Sequence, residues 1–202
     1  MGTGAESARA LARQERRQFA DLLAGLTDAQ WDAPSLCSGW SVRDVAAHTI
    51  SYLDQSLARL TVNMIRARGD VDRLNARLAS GTAGLSAQRL VELMARDIEP
   101  AGAAALYGGR VALIECLVHQ QDIRRPLGLE RGLPPESVRV CLDYARVSPV
   151  IGGARRTRGT RLVGTDVGWV AGRGPEVCGT GEALLLAVTG RLAAVRGELS
   201  GP

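Results

Sequence analysis

A chain of 202 residues is long enough for one full domain, or for one domain with a small appendage. Hydrophobic residues make up 46% of it but aromatics only 3%, so its core has to be built mainly from Ala, Leu and Val. All 25 basic residues are arginine and they face 21 acidic ones, and the net charge of +4 is far from a nucleic-acid-binding extreme.

Four scattered cysteines, Cys37, Cys116, Cys141 and Cys178, form no C-x-x-C pair and no disulfide scaffold, which points to a reduced, cytoplasmic setting. Met1 to Phe19 is rich in Arg and Glu and lacks the apolar centre of a signal peptide. No apolar run approaches the ~20 residues of a membrane span, so a soluble protein without membrane partners is expected.

Residues 5–25 are predicted to form an amphipathic helix, with Leu11, Phe19, Leu22 and Leu23 on one face and Arg13, Glu15, Arg16 and Arg17 pointing elsewhere. A short turn at Leu26 to Trp31 is broken by Asp32-Ala33-Pro34-Ser35. In Gly39-Trp40-Ser41-Val42-Arg43-Asp44-Val45, Ser41 and Asp44 have the spacing of a capping box, and Trp40 and Val45 that of a hydrophobic staple. They start a second helix, expected to run to about Arg68. Asp44 also stands four residues before His48 and is an alternative orienting partner for that imidazole, but the cap follows from spacing alone and is preferred.

Gly69 to Gly84 is a polar, interrupted crossover. Leu85 to Glu99 is a third helix with Leu90, Leu93 and Met94 inward, and Pro100 and Gly108-Gly109 mark the break after it. A fourth helix runs from Arg110 to about Leu127, and a fifth opens at Pro134-Pro135-Glu136 and reaches about Val147. The expected fold is mainly α: a four-helix bundle over residues 1–152 with a site at its centre. Gly152 to Gly159 is a Gly/Arg linker in which Arg155-Arg156-Thr157-Arg158 reads as solvated rather than as a phosphate contact. Residues 153–202 are a small α/β appendage: two short strands within 162–172, a third at 175–178, and a helix capped by Thr180 that ends at Gly190.

The chemistry lies in Val111-Ala112-Leu113-Ile114-Glu115-Cys116-Leu117-Val118-His119, an apolar helical run with a carboxylate and an imidazole four residues apart and hence on one face. A lone buried carboxylate costs several kcal/mol or takes up a proton unless a cation meets it. The only other histidine, His48, also sits on an apolar segment. Two histidines and a glutamate suit zinc or a similar divalent metal with one coordination position left open. The alternative is an ion pair of Glu115 with a buried arginine such as Arg43. Cys116 reads as core, and Cys37 as structural rather than as a thiol partner.

Trp31 through His48, Glu115-x-x-x-His119 with the following Asp122, and Leu162-Val163-Gly164-Thr165-Asp166-Val167-Gly168-Trp169 through Gly190-Arg191 together resemble the mycothiol-dependent maleylpyruvate isomerase family. The resemblance covers nearly the whole chain, in the family's order. It implies a DinB-like metal-binding helix bundle with a small C-terminal domain, and it matches His48, Glu115 and His119 to the family's three metal ligands. It further implies mycothiol, a low-molecular-weight thiol, as cosubstrate for isomerising or modifying an electrophilic small molecule. The expected enzyme is a mycothiol-dependent isomerase or thiol S-transferase using zinc, with nickel as the second choice. The competing reading is a non-catalytic metal bundle that sequesters a small molecule. Arg191 is the expected catalytic arginine that holds a substrate carboxylate, with Arg43 and Arg110 behind it. No nucleic-acid partner is expected, and the chain is expected to be a monomer or homodimer.

Overall fold

Packing, more than propensity, decides which faces of the first helix are covered. The computed structural model describes residues 3–51, 56–70, 73–75, 78 and 84–201, and these divide into two units, Met1–Glu130 and Arg131–Pro202. In the first, α1 (Thr3–Ala24) buries Ala8, Ala12, Phe19, Leu22 and Leu23 and ends at Gly25, whose N–H bonds Asp21 and Leu22 carbonyls. After the short α2 (Asp28–Trp31) come α3 (Val42–Ser51), α4 (Leu57–Arg66), α5 (Ala87–Arg96), a 3-10 segment (Gly102–Gly109) and α6 (Arg110–Arg124). Helix α1 packs on α5 and α6, and α3 packs on the same two, so these four helices form a bundle.

Because α1 is covered on two sides, two of its charged residues are buried, against the sequence expectation that they point away. Glu15 accepts from Gln120 Nε2 at 3.1 Å, and the Arg16 guanidinium bonds the Asp97 carbonyl. Burial lowers the Arg16 pKa, with Cys116, Asp97 and Glu99 opposing it.

The expected continuous helix from Ser41 to Arg68 is two helices. Ser56 is extended (φ −61°, ψ 155°) and caps α4 through the Arg59 N–H, while residues 52–55 lie outside the described set. Most of the expected crossover at 69–84 lies outside it too. The capping box at Ser41 is present: Asp44 N–H bonds Ser41 Oγ at 3.2 Å and Ser41 N–H bonds Asp44 Oδ2 at 2.9 Å.

The second unit contains α7 (Pro135–Val147), which the sequence pattern groups with the bundle of residues 1–152. Its buried residues Val138, Cys141, Leu142 and Ala145 belong to a core with α8 (Gly153–Arg156) and α9 (Gly181–Leu186). The sheet has the order β2-β1-β3, with β1 (Arg161–Gly164) antiparallel to β2 (Trp169–Gly172) and parallel to β3 (Glu176–Gly179). Thr180 caps α9, which continues as a π segment (Ala187–Arg191) broken by Gly190 at φ +99°. Among the described residues, no helix is long and apolar enough to cross a membrane.

Candidate metal centre

The N-terminal unit brings His48, Glu115 and His119 together. His48 lies in the second turn of α3, whose start is fixed by the Ser41 cap, and the edge of its ring meets Trp40 at 5.0 Å between centroids. Trp40, expected to staple the helix, thus packs on the imidazole. Glu115 and His119 stand one turn apart on α6, and the two imidazole rings meet edge-on at 5.0 Å.

Glu115 Oε2 is 3.3 Å from His119 Nε2 and 3.5 Å from His48 Nε2, and one ligand atom from each of the three residues lies within 4.8 Å of the others. These separations exceed the ~2.8 Å of a charge-assisted hydrogen bond. They match the ~3.3 Å between two ligand atoms that each sit about 2.0–2.1 Å from a tetrahedral ion. The Glu115 side chain is 28% exposed, but Oε2 itself is buried and meets the geometry of a hydrogen bond with neither ring. A donor set converging on one point at ligand-to-ligand separations fits a divalent cation. Arg43, the alternative partner for Glu115, is engaged elsewhere: it lies 5.5 Å from the Trp31 ring centroid and 3.4 Å from Asp32.

Around this trio is a group that spacing alone did not single out. Asp122, one turn beyond His119, is fully buried and holds His119 Nδ1 at 2.8 Å, so that Nε2 faces Glu115 and His48. Cys37 Sγ donates to the same Asp122 oxygen at 3.2 Å, and Leu36 N–H bonds the Asp122 carbonyl at 3.0 Å, tying the loop before α3 to α6. The i,i+3 pair of His and Asp on an apolar helix was the available signal. Cys37, His119 and Asp122 form a second potential ligand trio sharing His119 with the first.

Burial pushes the Glu115 carboxyl up, but His119 and His48 outweigh it and hold it well below the usual carboxylate range. Burial alone would depress His119, yet Asp122, Cys37 and Glu115 raise it well above the ordinary imidazole value. Cys116, adjacent to Glu115 but facing the core, is pushed up to about 12 by burial. Arg191 lies in the C-terminal unit beside Gly190, half-buried, and donates to the Thr189 carbonyl at 2.8 Å. Arg110 donates to the Tyr107 carbonyl at 2.9 Å.

Residues 12–107 match the family model described as the mycothiol maleylpyruvate isomerase N-terminal domain. A crystal structure of a histidine-to-alanine mutant of the mycothiol-dependent maleylpyruvate isomerase is 14% identical, with a TM-score of 0.60 over 98% of this chain and 92% of that one. A crystal structure of the mycothiol-dependent maleylpyruvate isomerase is 15% identical, with a TM-score of 0.57 over 93% and 89%. The family model thus covers 96 of the 202 residues, all in the N-terminal unit. The match to the family's N-terminal domain includes Cys37, Trp40 and His48 and ends before Glu115 and His119. At these identities the crystal structures speak for the isomerase fold. No curated protein matches the chain in sequence.

Proposed function

We propose that this chain is a metal-dependent enzyme using a low-molecular-weight thiol, mycothiol, to isomerise or S-modify an electrophilic small molecule. The observation that carries the reading is the convergence of Glu115 Oε2 and both Nε2 atoms, at 3.3 and 3.5 Å, on one buried point. His48, Glu115 and His119 hold the ion, zinc first and nickel second, and Asp122 fixes the His119 tautomer. Bound there, the ion supplies Lewis acidity and lowers the pKa of a thiol that reaches it. Two neutral imidazoles and one carboxylate offset only one unit of a divalent charge, so the trio leaves room for an anion such as a thiolate. The thiolate adds to an activated double bond. In an isomerisation, rotation about the resulting single bond and expulsion of the thiolate return the thiol unchanged. In a transfer, the adduct takes up a proton and leaves. Arg191 is proposed to bind a substrate carboxylate through its two-pronged guanidinium.

Elemental analysis of the purified protein should find about one divalent ion per chain, lost in the His119→Ala variant. Mycothiol added to cobalt-substituted protein should shift the visible absorption bands. Full metal content after His119→Ala would refute the ligand set. A bound ion with no thiol-dependent turnover of electrophiles would favour the sequestering protein over the enzyme.

A further inference from the structure

The chain's excess positive charge lies entirely in its C-terminal unit. Arg131 to Pro202 contains ten arginines and six acidic residues, whereas residues 1–130 balance fifteen against fifteen. Several of the ten have partners: Arg139 bonds the Val167 carbonyl at 2.9 Å, Arg161 pairs with Glu176 at 2.9 Å, and Arg156 bonds the Ile151 and Val188 carbonyls. Three others come together. Arg146, Arg158 and Arg173, with Thr157, Thr160 and Leu162, line a cavity of about 360 Å³ that no carboxylate lines. Among the described residues, Arg158 and Arg173 have no hydrogen-bond or ion-pair partner, and Arg146 meets the Trp169 ring at 5.9 Å.

The backbone enforces this placement. Trp169 is buried in β2 and donates from Nε1 to Asp143 at 2.8 Å, which fixes the ring beside Arg146 one turn further along α7. Arg173 stands between Gly172 (φ +86°) and Gly174 (φ +122°). A Cβ on Gly172 would lie 2.2 Å from the Thr160 carbonyl oxygen, and one on Gly174 would lie 2.0 Å from that of Gly159. Only glycine lets the two loops approach so closely, and the approach puts Arg158 and Arg173 on the wall of one cavity. Arg158 and Arg173 are exposed and Arg146 half-buried, so three like charges around one concavity form a local positive field that favours an anion.

We propose that this cavity binds the dianionic group, phosphate or dicarboxylate, of a small organic molecule. The arginine forks would grip its oxygens in pairs, the Thr160 hydroxyl would add a donor, and Leu162 would floor the apolar part. A volume of about 360 Å³ is in the range of small-molecule sites, roughly 300–1,000 Å³, and exceeds what a bare ion needs. A concave site of this size suits a small molecule better than the open stripe that nucleic acid requires. The Arg155-Arg156-Thr157-Arg158 run is thereby divided: Arg156 braces backbone carbonyls and Arg158 serves the cavity.

The test is calorimetric titration of the whole protein as purified, at low ionic strength, with inorganic phosphate and malonate as separate probes. At least one should bind with a Kd of about 1 mM or tighter, and the tighter of the two identifies the ligand chemistry. Arg158→Gln and Arg173→Gln should each weaken it about tenfold, the scale of one charge-assisted hydrogen bond. Arg89→Gln, which removes the same charge from a surface pair with Glu92 in the N-terminal unit, should leave it unchanged. Affinity weaker than 1 mM for both probes overturns the site. So does an equal loss in all three variants, or undiminished binding in both cavity variants.

Discussion

Replacing Asp122 by Asn tests the candidate metal centre through a residue that would not touch the ion. The side chain keeps its shape and loses its charge. In the structure one oxygen of the fully buried carboxylate holds both His119 Nδ1, at 2.8 Å, and Cys37 Sγ, at 3.2 Å. A hydrogen bond to a charged group contributes about 1.5–3 kcal/mol and a neutral one about 0.5–1.5, so neutralising the acceptor costs roughly 1–1.5 kcal/mol in the orientation of His119. That corresponds to about a tenfold loss of metal affinity, at the lower edge of the 10–100-fold typical for the outer partner of a ligating histidine. Zinc competition against a chromophoric chelator at pH 7 measures it, with thermal unfolding of the metal-free proteins as the check on folding. Glu115→Gln takes the negative charge from a ligand itself and should cost more, about a hundredfold or beyond. Zinc affinity of Asp122→Asn within twofold of the parent would refute the positioning argument. A loss exceeding that of Glu115→Gln would show that the ligands have been misassigned.

Because Asp122, Cys37 and Glu115 raise the His119 pKa in the metal-free chain, an arriving ion must displace a proton. Affinity should therefore climb about tenfold per pH unit between pH 6 and 7, below the raised pKa, and a flat profile in chelator competition would contradict this. Stability of the metal-free chain should run the other way: the folded pKa lies above the unfolded one, so the His119 contribution is complete below about pH 6.5 and is lost as pH rises through the folded value, as denaturant titrations would show. Gly172→Ala should destabilise the chain by about 2 kcal/mol in urea, through its positive φ and the Thr160 carbonyl; an unchanged midpoint would disprove the close crossing of the two loops. Cys116, buried and with its thiol pKa at about 12, should escape iodoacetamide at pH 8 in the native protein and react once unfolded, as peptide mapping would reveal.

The convergence of His48, Glu115 and His119 was legible because its physics is local. A carboxylate and an imidazole one turn apart on an apolar helix announce themselves, and the only other histidine completes the set. Helix starts marked by side-chain caps were legible too, at Ser41 and Thr180. The break at Ser56 was not: Arg59 stands where a capping box would carry Glu or Gln, and the apolar pattern runs on through it. Pattern also reveals which face of a helix is apolar without naming what covers it. For that reason the pattern points Glu15 and Arg16 outward although they are buried, and groups Pro135–Val147 with the bundle although it packs within Arg131–Pro202. Spacing leaves Asp122 unmarked, because a carboxylate three residues from a histidine gains meaning only once the ring's orientation is known.

The formal neutrality of residues 1–130 has a consequence for how the two units respond to salt. At 0.1 M ionic strength fields fade over about 10 Å, so capture that relies on accumulated charge weakens while short-range coordination persists. Raising sodium chloride should thus leave ion uptake by His48, Glu115 and His119 nearly constant and suppress whatever the arginines after residue 130 attract. A simple salt series would tell the chemistry of one unit from that of the other.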